Sequence, residues 1–469
     1  MSGVIDERLR ALRTVRHTGR VVRALGTSLR ASGLPVRIGE RCEIHDRHGG
    51  RTTLAEVVGF ERGEAILVPL DGLHGIALDA EVSPCPGAGD VRVGEALLGR
   101  VLDGFGQPMD GRALESGGIA EPIRGEAPHP LERLRIDAPF ETGVRALDAL
   151  LTVGVGQRVG LFAPAGVGKS MLLGMLARRA EADVIVVALI GERGREVREF
   201  VEDTLGERAL ARSVVIVSTS DRPAMERVAA AETATAVAAG FRRQGKRVLL
   251  LMDSVTRYAR ALREVGLAVG EPAVRQGFPP SVFAALPRLF ERAGNDAHGS
   301  ITAFYAVLAD EEEGIDPVSE ETRSILDGHV VLSRRIAASG RYPAIDVAAS
   351  VSRLFVSLAG EEQRAAAERL RRLIARYRDI EFLVQVGEYK PGSDAEADEA
   401  IRLMPAIEGL VAQRADETSA AGDSVSALIG LFHAPPGAAP GQRAPSATAR
   451  AAAQARMAAG TAGTGRPRG

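Results

Sequence analysis

The spacing of apolar residues divides the chain into regions of different character. Short β-like runs separated by turns fill the residues from about 19 to 95, and their Gly-rich breaks predict a small barrel or sandwich. From about 140 to 355, apolar runs of five to nine residues alternate with longer helical stretches. Runs of this kind are typical of strands buried on both faces, so the alternation predicts a parallel sheet with crossover helices.

Five apolar runs are the predicted strands of that sheet: QRVGLFA, DVIVVALI, SVVIVSTS, RVLLLMD and SITAFYAVL. Beyond them, residues 361–433 have mostly helical periodicity. We therefore divide the folded part of the chain into a β-barrel domain at 26–95, an α/β domain at 96–360 and a helical domain at 361–433.

The first 25 residues have the pattern of a basic amphipathic helix. Ile5, Leu9 and Leu12 fall on one face, with several arginines around it. Such a helix can dock on a partner or on an anionic membrane surface. The alternative is a solvated N-terminal cap, and the pattern alone leaves both interpretations open.

The last stretch, 434–469, differs in composition from the rest of the chain. It holds 13 Ala, 6 Gly, 5 Pro and five Arg, with no acidic residue. Because this composition cannot build an apolar core, we expect the tail to be disordered.

Composition and charge exclude several classes of protein. The chain has 469 residues with a net charge of −2, which argues against a nucleic-acid protein that relies on a broad basic surface. The longest apolar core run, Val184–Ile190, is far shorter than a membrane helix needs. The two cysteines cannot make a disulfide framework, and the N-terminus shows no signal-peptide core. We therefore expect a cytosolic protein of several domains.

The strongest chemical motif is APAGVGKS, which follows the predicted strand QRVGLFA and precedes a helical stretch. A phosphate chain needs inward backbone N–H groups, a helix N-terminus, a lysine and a hydroxyl for Mg²⁺. The pattern G-x-x-x-x-G-K-[ST] is met except at its first position, which is alanine. The motif predicts nucleotide binding by Ala163, Pro164, Ala165, Gly166, Val167, Gly168, Lys169 and Ser170.

Two carboxylates end predicted strands downstream of this motif. Glu192 stands at the carboxyl end of DVIVVALIGE, where it can polarise an attacking water. An ion pair of Glu192 with Arg193 or Arg195 at a helix start is an equal alternative. Asp253 ends the run RVLLLMD and is a candidate for holding a carboxylate near Mg²⁺.

Two further candidates lie in the segment RYPAIDVAASVSR. Tyr342 could stack on adenine, and Arg353 could stabilise the γ-phosphate charge in the site of a neighbouring copy. Core packing and a surface ion pair are the respective alternatives. A separate cluster, Cys42, His45 and His48, offers three metal-ligating side chains without an obvious fourth, and an exposed turn is the favoured interpretation.

From about residue 15 to 433, the chain resembles the type III secretion ATPases, relatives of the rotary ATP synthase β subunit. The resemblance rests on ALIGERGREVREF, TSDRPAMER, RVLLLMDSVTRYAR, GFPPSVFAALPRLFERAG, ETRSILDGHVVLSRR and YPAIDVAASVSR. It implies an N-terminal β-barrel, a RecA-type nucleotide domain and a helical C-terminal domain. It also implies a homohexamer with its sites between subunits.

The resemblance further implies a role for each candidate residue. Lys169, Glu192 and Arg353 would be catalytic, with Arg353 reaching the adjacent subunit's site. Nucleotide contacts would include Arg193 and the adenine-stacking Tyr342. Ser170 and Asp253 would hold the Mg²⁺ that accompanies ATP, the one cofactor implied.

The implied function is that of an ATP-driven motor of protein secretion, which couples hydrolysis to chaperone release, unfolding and export. Implied partners are stator, stalk and export-gate proteins and chaperone–effector complexes, at the cytoplasmic face of the bacterial inner membrane. The stretch VVGFERGEAILVPLDGLHGIALDAEVSP favours a virulence-type system. The alternatives are a flagellar export ATPase, a rotary proton-translocating subunit and a nucleic-acid motor. The last is disfavoured because only 4% of residues are aromatic.

A chain shortened to end at Phe432 tests the interpretation of the tail. Because 434–469 can bury almost no apolar surface, we expect the shortened chain to match the full chain in ATP turnover and assembly. Turnover and sedimentation of the two proteins are the measurements. Loss of assembly on truncation would show that the tail is an interaction element.

Overall fold

The computed structural model describes residues 17–433 apart from 47–49, 51, 86–88, 116 and 310–315. The predicted N-terminal amphipathic helix and the predicted disordered tail lie outside the described residues. Within the part of the chain that is described, no helix combines the length and apolar composition that a membrane crossing requires.

Six antiparallel strands close into the N-terminal barrel in the order β1-β2-β5-β4-β3-β6. Their bounds are β1 Gly19–Leu25, β2 Ser28–Ser32, β3 Arg41–His45, β4 Thr52–Glu61, β5 Glu64–Pro69 and β6 Glu81–Pro84. The barrel thus starts earlier than the boundary at residue 26, because β1 pairs with both β2 and β6 and buries Val21 inside.

Thirteen further strands follow among the described residues. They are β7 Asp90–Val93, β8 Arg100–Asp103, β9 Ile119–Pro122, β10 Pro139–Phe140, β11 Val153–Gly154, β12 Arg158–Ala163, β13 Val184–Glu192, β14 Ser213–Thr219, β15 Arg247–Asp253, β16 Gly294–Asn295, β17 Ser300–Leu308, β18 Gly328–Val331 and β19 Val351–Ser352. The main sheet has the order β19-β18-β12-β17-β15-β13-β14-β8, with β16 beside β17. It is parallel except at the β18–β19 and β16–β17 pairs, which confirms the predicted parallel sheet.

The described α-helices number thirteen. They are α1 Arg145–Leu150, α2 Lys169–Arg179, α3 Gly194–Glu199, α4 Gly206–Leu210, α5 Ala224–Arg243, α6 Val255–Ala268, α7 Pro280–Phe290, α8 Pro317–Ile325, α9 Arg334–Ala338, α10 Phe355–Leu358, α11 Glu361–Gln385, α12 Ala395–Val411 and α13 Ala421–His433. A π-helix, Phe200–Leu205, joins α3 to α4, and 3₁₀ turns cover Glu95–Leu97 and Pro130–Glu132.

All five predicted apolar runs form strands of the main sheet, and each is buried along nearly its whole length. Successive residues point to opposite faces of a strand, so both faces need an apolar cover. Leu161 and Val187 pack in the layer that contains α2, whereas Phe162 and Val186 pack in the layer that contains α5. Because both faces are covered, the strand sequences are continuously apolar and do not alternate between apolar and polar residues.

The helical domain is attached to the α/β domain beside α1. Gln363 of α11 is 7% exposed, and its side-chain amide donates to the carbonyls of Asp148 and Ala149 at 3.2 and 3.0 Å. Leu370 and Leu373 of the same helix belong to the apolar core that includes α1 and α2. The helices after residue 361 therefore share one core with the face of the sheet that α2 covers.

Asp148 fastens the turn that leads into α1. Its Oδ1 accepts from the Thr142 backbone N–H at 2.9 Å and from the Thr142 hydroxyl at 2.7 Å. Its Oδ2 accepts from the Gly143 N–H at 3.0 Å. Burial raises the pKa of Asp148 to about 6, although these hydrogen bonds oppose the shift. The carboxylate thus satisfies two backbone donors that have lost contact with water.

Replacing Asp148 by alanine should destabilise the protein. The change leaves the N–H groups of Thr142 and Gly143 buried without their acceptor, at a cost of about 2–4 kcal/mol. Thermal unfolding of the purified variant measures the effect. Asp137→Ala, at an exposed position just before β10, is the matched control and should leave the unfolding temperature unchanged. Equal midpoints for the two variants would contradict the assigned role of Asp148.

Candidate functional site

The phosphate-loop motif lies between the carboxyl end of β12 and the first residue of α2. Gly166 and Gly168 have φ values of +80° and +89°, a region that non-glycine residues occupy only with strain. Gly168 precedes α2 directly, so the free N–H groups of the first helical turn lie at the loop. Val167 is buried at 3% exposure and anchors the loop to the core. This is the backbone geometry that binds anions at helix N-termini.

Ala163 replaces the glycine at the first motif position without distorting the loop. It is the last residue of β12, is fully buried and belongs to the apolar core. Its carbonyl accepts from Ala309 N at 3.2 Å. Ala163 is therefore part of the sheet, and a methyl group there contributes to packing.

Lys169, Glu192 and Asp253 meet beside this loop. Parallel pairing places Leu189 of β13 opposite Asp253 of β15, so the carboxyl ends of the two strands are adjacent. The Lys169 ammonium group donates to Asp253 Oδ1 and lies 3.9 Å from Glu192 Oε1. The three side chains are only 5–14% exposed. Residues separated by up to 84 positions thus form one charged cluster, as the sequence predicts.

Glu192 has a perturbed pKa. Burial and the nearby charge of Asp253 raise the pKa of Glu192 to about 7, and the positive charges of Lys169 and Arg257 partly oppose them. A carboxyl group that titrates near neutral pH is suited to general-base chemistry.

Arg257 is a member of this cluster that the sequence analysis missed. Its Nε lies 3.5 Å from Glu192 Oε1, and its side chain passes directly over Gly191. A Cβ at residue 191 would lie 2.6 Å from Arg257 Cδ, so glycine is required there. The sequence gives one indication of this contact, which is that Arg257 follows Asp253 closely and lies in the first turn of α6.

Glu192 does not form the ion pair that was the alternative to its catalytic role. Arg193 Nη1 lies 3.6 Å from Glu196, and Arg195 lies 3.3 Å from Glu199. The side chain of Arg193 is 77% exposed, so this chain alone does not bring it into the cluster around Lys169. A nucleotide contact by Arg193 stays a prediction.

Tyr342 lies against the phosphate loop. A Cβ placed on Gly168 would be 3.1 Å from Tyr342 Cε1, so the ring contacts the loop where α2 begins. The Tyr342 carbonyl accepts from Gln413 N at 2.8 Å, which joins this segment to the helical domain. The half-buried ring is therefore held near the nucleotide-binding loop.

Arg353 lies at the other end of the sheet. Its backbone N–H donates to the Asp327 carbonyl at 3.0 Å, and Asp327 binds Arg158 at the amino end of β12. With about 3.3 Å per residue, the length of β12 separates this place from the phosphate loop by roughly 16–20 Å. The exposed guanidinium approaches only the carbonyls of Arg323 and Ser324, and no ion pair of Arg353 occurs among the described residues.

The potential metal ligands in the barrel do not converge. Cys42 is fully buried on the inner face of β3, whereas His45 lies at its half-exposed end. His45 contacts Thr52 at 3.0 Å and Glu43 at 3.3 Å. Side chains an odd number of residues apart on a strand point to opposite faces. His48 lies outside the described residues.

Comparison with protein families assigns three parts of the chain. Residues 143–352 match the nucleotide-binding domain of the ATP synthase alpha/beta family, and residues 15–85 match its β-barrel domain. Residues 359–430 match the C-terminal domain of the EscN ATPase of type III secretion systems.

Curated relatives match over most of their length. A type 3 secretion system ATPase of Xanthomonas euvesicatoria is 53% identical over 427 residues, which cover 91% of this chain and 97% of the relative. A type 3 secretion system ATPase of Sinorhizobium fredii is 50% identical, covering 86% and 89%. A flagellum-specific ATP synthase of Pseudomonas aeruginosa is 46% identical, covering 88% and 93%.

Solved structures agree with the sequence relatives. The assembled ATPase EscN from the type III secretion system of enteropathogenic E. coli superposes with a TM-score of 0.83 at 46% identity. That match covers 88% of this chain and 99% of EscN. The family models and the EscN structure agree with the type 3 secretion relatives, and the chain belongs to the type III secretion ATPases of the ATP synthase alpha/beta family.

Proposed function

We propose that the residues at the carboxyl ends of β12, β13 and β15 hydrolyse ATP, and that a second copy of the chain completes their site. The chain is an ATP hydrolase that drives type III secretion, as its family membership shows. The observation that supports this placement of the chemistry is the convergence of Lys169, Glu192 and Asp253 beside a glycine-rich helix N-terminus.

The loop and Lys169 would hold the phosphates. Backbone N–H groups of the loop and the first turn of α2 would donate to the bound phosphates, and the lysine would add a full positive charge. Tyr342, in contact with Gly168, is placed to stack on the adenine ring. Lys169 is bound to Asp253 in the described structure, so it would exchange that partner for phosphate oxygens.

Ser170 and Asp253 provide the donors that suit Mg²⁺. A hydroxyl and a carboxylate are hard oxygen ligands. Ser170 follows Lys169 in the chain, and Asp253 accepts a hydrogen bond from the Lys169 ammonium group. Mg²⁺ bound with ATP would supply neutralisation of the phosphate charge. The protein's part is to present these two oxygen donors from rigid elements, the start of α2 and the end of β15.

Glu192 would orient the attacking water. At pH values above its pKa of about 7 the carboxylate is ionised and can accept a hydrogen bond from water. Arg257 and Lys169 stabilise the ionised form of Glu192, since both cations lie within 4 Å of its Oε1. Phosphoryl transfer depends mainly on such positioning and on electrostatics.

Arg353 would act on the site of a neighbouring copy. Its place at the amino end of the sheet keeps it far from its own phosphate loop, and its guanidinium is exposed. A planar guanidinium matches two phosphate oxygens as charge develops in the transition state. This arrangement supports a homohexamer in which each interface holds one complete site.

The remaining partners follow from the relatives. EscN has been solved in complex with its central stalk EscO, and this chain matches that EscN with a TM-score of 0.81 at 46% identity. We extend a stalk contact to this chain, together with stator and export-gate proteins and chaperone–effector complexes. Association with the cytoplasmic face of the inner membrane is part of the same proposal.

Glu192→Gln should retain ATP binding and lose hydrolysis by about a hundredfold or more, because a neutral amide cannot replace a general base. In the unaltered protein, kcat should fall as the pH drops through about 7, since protonation of Glu192 removes the active carboxylate. Nucleotide affinity and turnover across pH 5.5–8.5 are the measurements. Glu199→Gln, an exposed carboxylate on the following helix, is the control and should keep the unaltered profile. Retained turnover in Glu192→Gln would reassign Glu192 to a structural role.

Arg353→Ala should slow turnover by roughly 10³–10⁵ while ATP stays bound, which is the scale of a missing arginine finger. Arg353→Lys should recover little, because the charge survives without the two-pronged geometry. Arg195→Ala removes an exposed ion pair and serves as the control. An Arg353→Ala protein that turns over ATP at the normal rate would rule out this role.

Mixing inactive variants tests whether Arg353 acts between copies. Hexamers that contain both Arg353→Ala and Lys169→Ala subunits include some interfaces with an intact Lys169 and a neighbour's intact Arg353. Activity should therefore reappear on mixing, with subunit exchange measured separately by fluorescence transfer. If exchange occurs and activity stays absent, Arg353 does not complete a neighbour's site.

A further inference from the structure

Arg178, near the end of α2, contacts two segments that are distant in sequence. Its Nη1 donates to the Thr204 carbonyl, in the π-helix Phe200–Leu205. Its Nη2 donates to the Ala415 carbonyl at 3.1 Å, in the loop between α12 and α13. One guanidinium therefore joins the helix after the phosphate loop to two other parts of the molecule.

The first of these segments carries Glu192. The chain leaves β13 at Glu192 and continues through α3 and the π-helix to Gly206, whose φ of +68° interrupts the helix. An interrupted helix leaves carbonyl groups without partners in the next turn, and Thr204 lies just before the break. A Cβ on Gly174 of α2 would be 2.2 Å from Thr204 Cγ2, so the two helices touch where glycine leaves room.

The second segment lies behind Tyr342. Gln413 donates its backbone N–H to the Tyr342 carbonyl at 2.8 Å, and Gln413 Oε1 accepts from Arg145 N at 2.8 Å. Arg179 also donates to Ala415 O, at 2.7 Å. The loop 412–417 is thus fixed to both α1 and α2, with the Tyr342 ring between it and Gly168.

The chemistry of Arg178 suits a connection between three elements. Its guanidinium is half-buried, and no carboxylate pairs with it among the residues that the structure describes. A planar fork of five donors can reach two carbonyls in different directions, which an ammonium group on a flexible stem does poorly. Placing such a charge among carbonyl groups carries a desolvation cost that simple packing does not require.

We propose that Arg178 is a positioning residue for ATP hydrolysis. It holds the segment that carries Glu192 against the helix that follows the phosphate loop, and it ties both to the helical-domain loop behind Tyr342. The inference rests on the proposed catalytic role of Glu192. Arg178 itself contacts neither the Lys169 cluster nor the loop, so it acts on turnover through the placement of Glu192.

Arg178→Gln in the full-length, assembled protein tests the role. A displacement of about 1 Å far from the reacting atoms can slow catalysis by up to roughly 10²-fold, so we expect kcat to fall about ten- to a hundredfold. The KM and the Kd for ATP should change by less than about threefold, because the phosphate loop is untouched and Arg179 and Gln413 still hold the loop behind Tyr342. Arg179→Gln is the matched control, since Arg179 contacts Ala415 but not Thr204, and its kcat should stay within about twofold.

A double-mutant cycle separates positioning from general stability. If Arg178 acts through Glu192, adding Arg178→Gln to Glu192→Gln should slow single-turnover hydrolysis by less than about twofold further. Losses that multiply would overturn the proposal, as would normal turnover in Arg178→Gln alone. Normal turnover in Glu192→Gln alone would instead refute the catalytic role of Glu192, and the inference with it.

Gly174→Ala provides a second variant if Arg178→Gln does not fold. The added methyl group would meet Thr204 Cγ2 at 2.2 Å and lie 3.1 Å from Arg178 Nη1, so it disturbs the same contact between α2 and the π-helix without removing the guanidinium. The same loss of kcat without loss of ATP affinity is expected, with the same non-additivity toward Glu192→Gln. Arg178→Lys should restore little of the lost turnover. A folded Gly174→Ala protein with unchanged kcat would overturn the proposal.

Discussion

The rest of the structure depends on the balance of charge at the carboxyl end of the main sheet. Glu192 and Asp253 lie on adjacent parallel strands, and two ionised carboxylates this close would repel one another in a buried site. Lys169 and Arg257 supply the opposing charge, one from the helix after the phosphate loop and one from α6. Ion pairs as well as packing therefore hold the elements around the site in place.

A parallel sheet has two chemically different ends, and the candidate site residues of this protein are divided between them. The phosphate loop and the carboxylates lie where the strands finish, whereas Arg353 lies where β12 and β18 begin. Because the sheet is packed on both faces, Arg353 cannot move to the phosphate loop of its own chain. In the proposed hexamer, a head-to-tail ring of identical copies would bring the nucleotide end of one sheet to the arginine end of its neighbour.

The sequence predicts the architecture and the central site well, because both depend on local patterns. Continuous apolar runs identify all five predicted strands, and the glycines at 166 and 168 have the positive φ that their motif implies. Arg257 and Arg178 escaped prediction because their roles arise from contacts across the fold, and arginines are common in this chain. The domain boundary at residue 26 was placed too late, because the first 25 residues were given to one amphipathic segment, whereas Gly19–Leu25 forms β1 and pairs with β2 and β6.

The contact between α2 and the helical-domain loop has a consequence for how this protein can diverge. Arg178 and Arg179 both bind the carbonyl of residue 415, an atom that every amino acid provides. The contact therefore does not depend on which side chain stands at position 415. Insertions or deletions between α12 and α13 would be the damaging changes, because they move the carbonyl itself. The length of this loop, rather than its amino-acid sequence, is the property that natural selection would have to preserve.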